Sequence, residues 1–109
     1  MKAAIVGIGL HRFGRTPERS GLEQGAEALR RALADAGVDW PAIQFVIGGS
    51  RDGGRVDGLA RLFAQSGAPM VNVFNGCATG GSSLALACGM IESGQFEVGA
   101  VVGYDKHDA

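Results

Sequence analysis

The sequence predicts an α/β fold: a layered, largely parallel sheet with helices on both faces, in one partial domain spanning residues 1–109. Two observations predict it. Short apolar runs alternate along the chain with helical stripes, as they do in successive βαβ units. The runs are also apolar at consecutive positions rather than every second one, which marks strands buried from both sides.

The first run, Ala3 to Ile8, reads as a buried strand closed by Gly7 and Gly9. Those glycines do not form a dinucleotide-binding loop. The spacing needs a third glycine at position 12, which is Arg12, and Arg15-Thr16-Pro17 stands where a helix should open. Gly14 to Gly21 is a polar loop. From Leu22 the apolar residues recur as Leu22, Ala26, Leu29, Leu33 and Ala36, a helical stripe. Glu27 and Arg31 make a favourable pair on its polar side, and Gly37 supplies the C-terminal cap.

Pro41 initiates a second strand, Ile43 to Ile47, bounded by Gly48-Gly49. Gly48 to Gly58 is a charged, glycine-rich loop placed to edge a substrate site, and Leu59 to Gln65 fits a short helix. Met70 to Phe74 is a third buried strand. The alanine-rich run Ser83 to Ile91 reads as a buried helix stopping near Ser93-Gly94, and Val98 to Gly103 as a fourth strand. That strand ends a few residues before Ala109, so no covering helix is expected after it. Apolar faces over Val98 to Val102 are therefore expected to be partly uncovered and to favour association.

A chain of 109 residues buries about 65% of its unfolded surface, enough for one small core. The net charge of −1, with both signs interspersed, argues against nucleic acid or an anionic membrane as partner. Arg12-Arg15-Arg19 and Arg51-Arg55 have acidic residues among them and read as solvated loops. No apolar run approaches a membrane span, and the start lacks a secretory apolar region, so the cytoplasm is the expected location. Cys77 and Cys88 are eleven residues apart, about 16 Å along one helix, which is beyond disulfide reach. Free thiols fit a reducing compartment.

Between the third strand and the helix after it lies Asn75-Gly76-Cys77-Ala78-Thr79-Gly80-Gly81-Ser82, a tight turn of small residues. A free cysteine is often only a small buried hydrophobe. Cys77 stands apart by its place. The unpaired N–H groups of a helix's first turn favour a thiolate and can hold an oxyanion as the sulfur attacks a carbonyl. Gly76, Ala78, Gly80 and Gly81 leave room for a substrate carbonyl to approach. Cys88, flanked by Ala87 and Gly89 in mid-helix, reads as packing. His11 and His107 read as surface or structural, and no metal ligand set stands out.

Residues Val71 to Leu84 with Asn75, Cys77, Ala78, Thr79 and Gly80 at their centre, then Ile91-Glu92-Ser93-Gly94 and Gly103-Tyr104-Asp105-Lys106, resemble the thiolases. The resemblance is strongest to the sterol-carrier, lipid-transfer branch, which Ala4 to Gly9, Phe13 and Ala32 to Gly37 also resemble. It implies an incomplete N-terminal half of a thiolase-like fold. It also implies that Cys77 is acylated by a coenzyme A thioester, which is substrate rather than cofactor, and that the Cys77 N–H joins an oxyanion hole. The family's activating histidine and second cysteine lie in its other half and match no position here. The isolated chain is therefore expected to be inactive. Two other readings stay open: a retro-aldol lyase of steroid or lipid side chains, and a non-catalytic fragment that only associates. The resemblance further implies a homo-oligomer pairing Met70 to Phe74 across a two-fold axis, and a small partner subunit.

Overall fold

The computed structural model describes residues 2–50 and 54–106. Helix α1 covers Gly21–Ala36, strand β1 Val46–Gly49, strand β2 Met70–Asn72, helix α2 Thr79–Glu92 and strand β3 Ala100–Gly103. Short 3₁₀ turns occupy Trp40–Ala42 and Val56–Arg61. The three strands form one parallel sheet in the order β2-β1-β3. Val46 lies opposite Met70 on one side and Ala100 on the other. This is the α/β architecture with a parallel sheet that the sequence predicts.

The sheet separates two apolar layers because successive side chains of a strand point to opposite faces. Val46, Ala100 and Val102 face Ala26 and Leu29 of α1, together with Trp40, Val56 and Leu59. Phe45, Ile47 and Val101 face the other way, against Ala87, Met90 and Ile91 of α2. Helices thus cover both faces. Trp40 stacks on Phe63 at 4.7 Å, and its indole N–H donates to the Ala64 carbonyl at 3.0 Å, so the ring is buried without an orphaned donor.

Helix α1 follows its local signals closely. The Ser20 hydroxyl accepts from the Glu23 N–H, the Glu23 carboxylate accepts from the Ser20 N–H, and Gly37 closes the helix at φ 69°. Glu27 binds Arg19 at 2.6 Å and Arg31 at 3.4 Å.

Elsewhere the structure departs from the sequence reading. Ala3 to Ile8 forms no strand. The segment lies along α1, where a Cβ added at Gly7 would come within 2.4 Å of the Ala32 carbonyl, and one at Gly9 within 2.1 Å of the Ala28 carbonyl. Side chains of α1 take up its backbone groups instead of a ladder: Asp35 accepts from the Ile8 N–H, and Arg31 donates to the Leu10 carbonyl. Ile5, Val6, Ile8, Leu10 and Phe13 are exposed in consequence.

The second strand begins at Val46, three residues later than the periodicity suggests, after a 3₁₀ turn over Trp40–Ala42. The short helix after the glycine-rich loop is a 3₁₀ turn that begins at Val56 rather than Leu59. Val98 to Val102 is better covered than expected, with Ala100 and Val102 buried and Val98 and Val101 half-buried between the two helix layers. Helix α2, in turn, is less buried than expected. Only Thr79, Ser83 and Ala87 are fully covered, a single stripe at four-residue spacing, and Leu84 and Leu86 are exposed. Arg51 and His107 lie outside the described residues.

Candidate active site

Because all three strands are parallel, Ser50, Val73 and Tyr104 leave the sheet on the same side. Sites in open α/β sheets collect at this carboxyl end. The Val73 N–H makes a last ladder bond to the Gly48 carbonyl at 2.8 Å. Asn72 steadies the strand just before it: its carboxamide oxygen accepts from the Val56 N–H at 2.7 Å, and its Nδ2 donates to Asp57 at 2.9 Å. That hydrogen bond, with Arg55 adding to it, holds the Asp57 carboxyl below the ordinary carboxylate range.

The chain then turns through Asn75 to Ala78. Gly76 takes φ 54°, a left-handed conformation that suits glycine. The Ala78 N–H closes the turn on the Asn75 carbonyl at 3.0 Å. Cys77 is exposed in this turn, two residues before α2 begins. Ala78 occupies the N-cap position and offers no side-chain hydrogen bond to the helix. The first backbone bond into the helix runs from the Ser82 N–H to the Ala78 carbonyl. The N–H groups of Cys77, Gly80 and Gly81 make no hydrogen bond among the described residues. A Cβ added at Gly76, Gly80 or Gly81 would meet nothing within 4 Å. An exposed cysteine, unengaged donors and uncrowded glycines thus occupy the same short stretch, residues 76–81.

Cys88 is half-buried in the middle of α2. Together with Leu84, Ala87 and Ile91 it lines a cavity of about 1440 Å³ between α2 and the segment before α1. Cys77 is not part of that cavity wall. His11 engages the Arg12 carbonyl through Nδ1, and its Nε2 faces Glu27 at 3.7 Å. Among the described residues no cluster of side chains could hold a metal ion, and no helix is long and apolar enough to cross a membrane.

The structure adds residues that the sequence reading passed over. Thr79 is buried, and its hydroxyl accepts from the Asn75 N–H at 3.0 Å while donating to the Gly76 carbonyl at 2.8 Å. Asn75 also donates from Nδ2 to the Ser82 hydroxyl at 2.8 Å. An Asn and a Thr flanking a glycine turn carry a local signal for such side-chain-to-backbone bonds.

Comparison with solved structures identifies the class first. The fold superposes on the priming β-ketosynthase of the R1128 polyketide pathway with a TM-score of 0.74 and 26% identity, over 86% of this chain and 30% of that one. The fold is thiolase-like. Among curated proteins, the chain is 32% identical to sterol carrier protein 2 of Homo sapiens over 94% of its own length. It is 34% identical to non-specific lipid-transfer protein-like 2 of Caenorhabditis elegans over 96% of its length. The resemblance to the sterol-carrier, lipid-transfer branch is borne out on these relatives. The chain spans 20% of the length of the human relative and 27% of the nematode one. No protein-family model matches it.

Proposed function

We propose that this chain is the nucleophile-bearing segment of a thiolase-type acyltransferase that acts on coenzyme A thioesters through an acyl-cysteine intermediate on Cys77. The observation that carries the reading is an exposed Cys77 two residues before a helix whose Gly80 and Gly81 N–H groups make no hydrogen bond among the described residues. Relatives named for sterol and lipid carriage, and a ketosynthase of similar fold, support an acyl substrate.

In the step, the Cys77 thiolate attacks the thioester carbonyl carbon and forms a new C–S bond. The unengaged N–H groups face the oxyanion that develops. Collapse breaks the bond to coenzyme A, which leaves as a thiolate and takes a proton from solvent. The acyl group stays on Cys77. Turnover needs a base within hydrogen-bond reach, and the resemblance puts the activating histidine in the half that matches no position here, while His11 is engaged with Arg12 and Glu27. Stoichiometric capture without turnover is therefore expected of this chain, in a cytoplasmic setting. The open edge of β2 is read as the contact for a second copy, since a strand edge pairs readily with its own image. Concentration-dependent light scattering checks that contact, and a monomer at every dilution removes it.

Incubation with acetyl-CoA followed by peptide mass mapping tests the chemistry. One acetyl group on Cys77, absent from Cys77→Ser, supports the proposal. Acylation elsewhere, or none on Cys77, overturns it in favour of lyase or purely associative readings.

A further inference from the structure

We infer that Thr79 is a positioning residue for Cys77, a role that rests on the nucleophile reading above. Its hydroxyl ties the helix start to the entry of the turn, the two residues just before Cys77. As acceptor it holds the Asn75 N–H at 3.0 Å, and as donor it holds the Gly76 carbonyl at 2.8 Å. The direct backbone bond between Thr79 and Gly76 is long, at 3.4 Å, so the hydroxyl is the shorter tie across this part of the loop.

The clamp is itself anchored. Thr79 is 8% exposed, and its carbonyl accepts the hydroxyl of Ser83, which is fully buried one helical turn on. Thr79, Ser83 and Ala87 form the buried stripe of α2, so the first of these side chains belongs at once to the helix packing and to the loop. Asn75, whose N–H Thr79 holds, reaches forward to Ser82 and ties the loop's entry to α2 a second time. Cys77 sits between these ties with no hydrogen bond of its own among the described residues, so its place over the helix start is set by its neighbours. Ala78, the N-cap residue, makes no side-chain bond to the helix. The Thr79 hydroxyl thus does for the turn what a capping side chain does elsewhere, while the N–H groups of Gly80 and Gly81 stay unengaged.

Thr79→Val keeps the shape and removes both hydrogen bonds, and Thr79→Ser restores them. Iodoacetamide labelling of the 109-residue chain, resolved between Cys77 and Cys88 across a pH series, reads the effect. Thr79→Val is expected to slow Cys77 labelling about fivefold to thirtyfold, the scale of one to two lost hydrogen bonds, and Thr79→Ser to recover it. Cys88 should label alike in all three proteins, which separates a local effect from general unfolding. Thermal melts of each variant supply a second check on the fold. Unchanged Cys77 labelling in a folded Thr79→Val protein overturns the inference. Absence of any preference for Cys77 in the unaltered chain overturns the nucleophile reading instead.

Discussion

The two helices begin in opposite ways. Helix α1 starts on a side-chain cap, a reciprocal pair between Ser20 and Glu23 that satisfies the Glu23 N–H, and ends on Gly37 in the left-handed region. Helix α2 starts on Ala78, whose side chain offers nothing, with no acidic residue in its first turn. The N–H groups of Gly80 and Gly81 make no hydrogen bond among the described residues, and the exposed Cys77 stands two residues before the helix. Capping typically contributes about 1 kcal/mol at a helix start, so α2 forgoes a stabilisation that α1 keeps. The difference teaches that a helix start can serve stability or chemistry. A side-chain oxygen that satisfied the α2 donors would occupy the place of an oxyanion.

The largest effect that bears on this contrast is chemical. Cys77→Ser should abolish acyl capture at the α2 start, whereas Cys88→Ser should leave it intact, as peptide mapping after exposure to acetyl-CoA will show. Capture that survives Cys77→Ser would break the comparison outright.

A smaller effect is expected at α1. Ser20→Ala should lower stability by about 1 kcal/mol in urea denaturation, because the Glu23 N–H loses its acceptor and the box is undone. The same helix should carry an acid limb. Hydrogen bonds to Ser20 lower the Glu23 carboxyl, and the bond from Arg19 lowers that of Glu27. A depressed carboxylate stabilises the fold above its ordinary value of 4.5 and loses that contribution as pH falls through the lower folded value.

Tyr104 gives the opposite limb. Burial first, and Asp57 second, push its phenol from 10.0 up to about 12. The unfolded chain ionises earlier, so stability is whole below pH 10.0 and is lost as pH climbs toward about 12. Tyr104→Phe should flatten that limb in pH-dependent melts. Its cost near neutral pH is about 1 kcal/mol, for the lost bond from the hydroxyl to the Gly54 carbonyl at 2.8 Å.

The smallest effect is the sharpest for the comparison. Ala78→Gly should change stability by no more than about 0.5 kcal/mol, since Ala78 makes no capping bond to lose. A cost matching that of Ser20→Ala would mean that the two helix starts are not so different.

What the sequence conveyed follows the same division between local and distant causes. Helix α1 was legible because its apolar stripe and terminal glycine are local signals, whereas the Ser20–Glu23 box was not read. The turn bearing Cys77 was legible because small residues stand between a strand-like run and a helix-like one. Ala3 to Ile8 was misread because a strand needs a neighbour, and its apolar composition says nothing about which neighbour it meets. Here Gly7 and Gly9 let the backbone lie against α1 instead. The cover over Val102 depends on Ala26 and Leu29 of α1, which are distant in sequence. Thr79 escaped notice because its residue type announces a turn or a helix start without saying which backbone groups it will hold.

The central claim is that the start of α2 sets Cys77 apart from Cys88 as the reactive sulfur. Iodoacetamide labelling of the unaltered chain, followed site by site with mass spectrometry from mildly acidic to mildly alkaline pH, tests it most directly. Faster labelling of Cys77 than of Cys88 throughout is the result predicted. Equal rates at the two sulfurs, or faster labelling of Cys88, would contradict it.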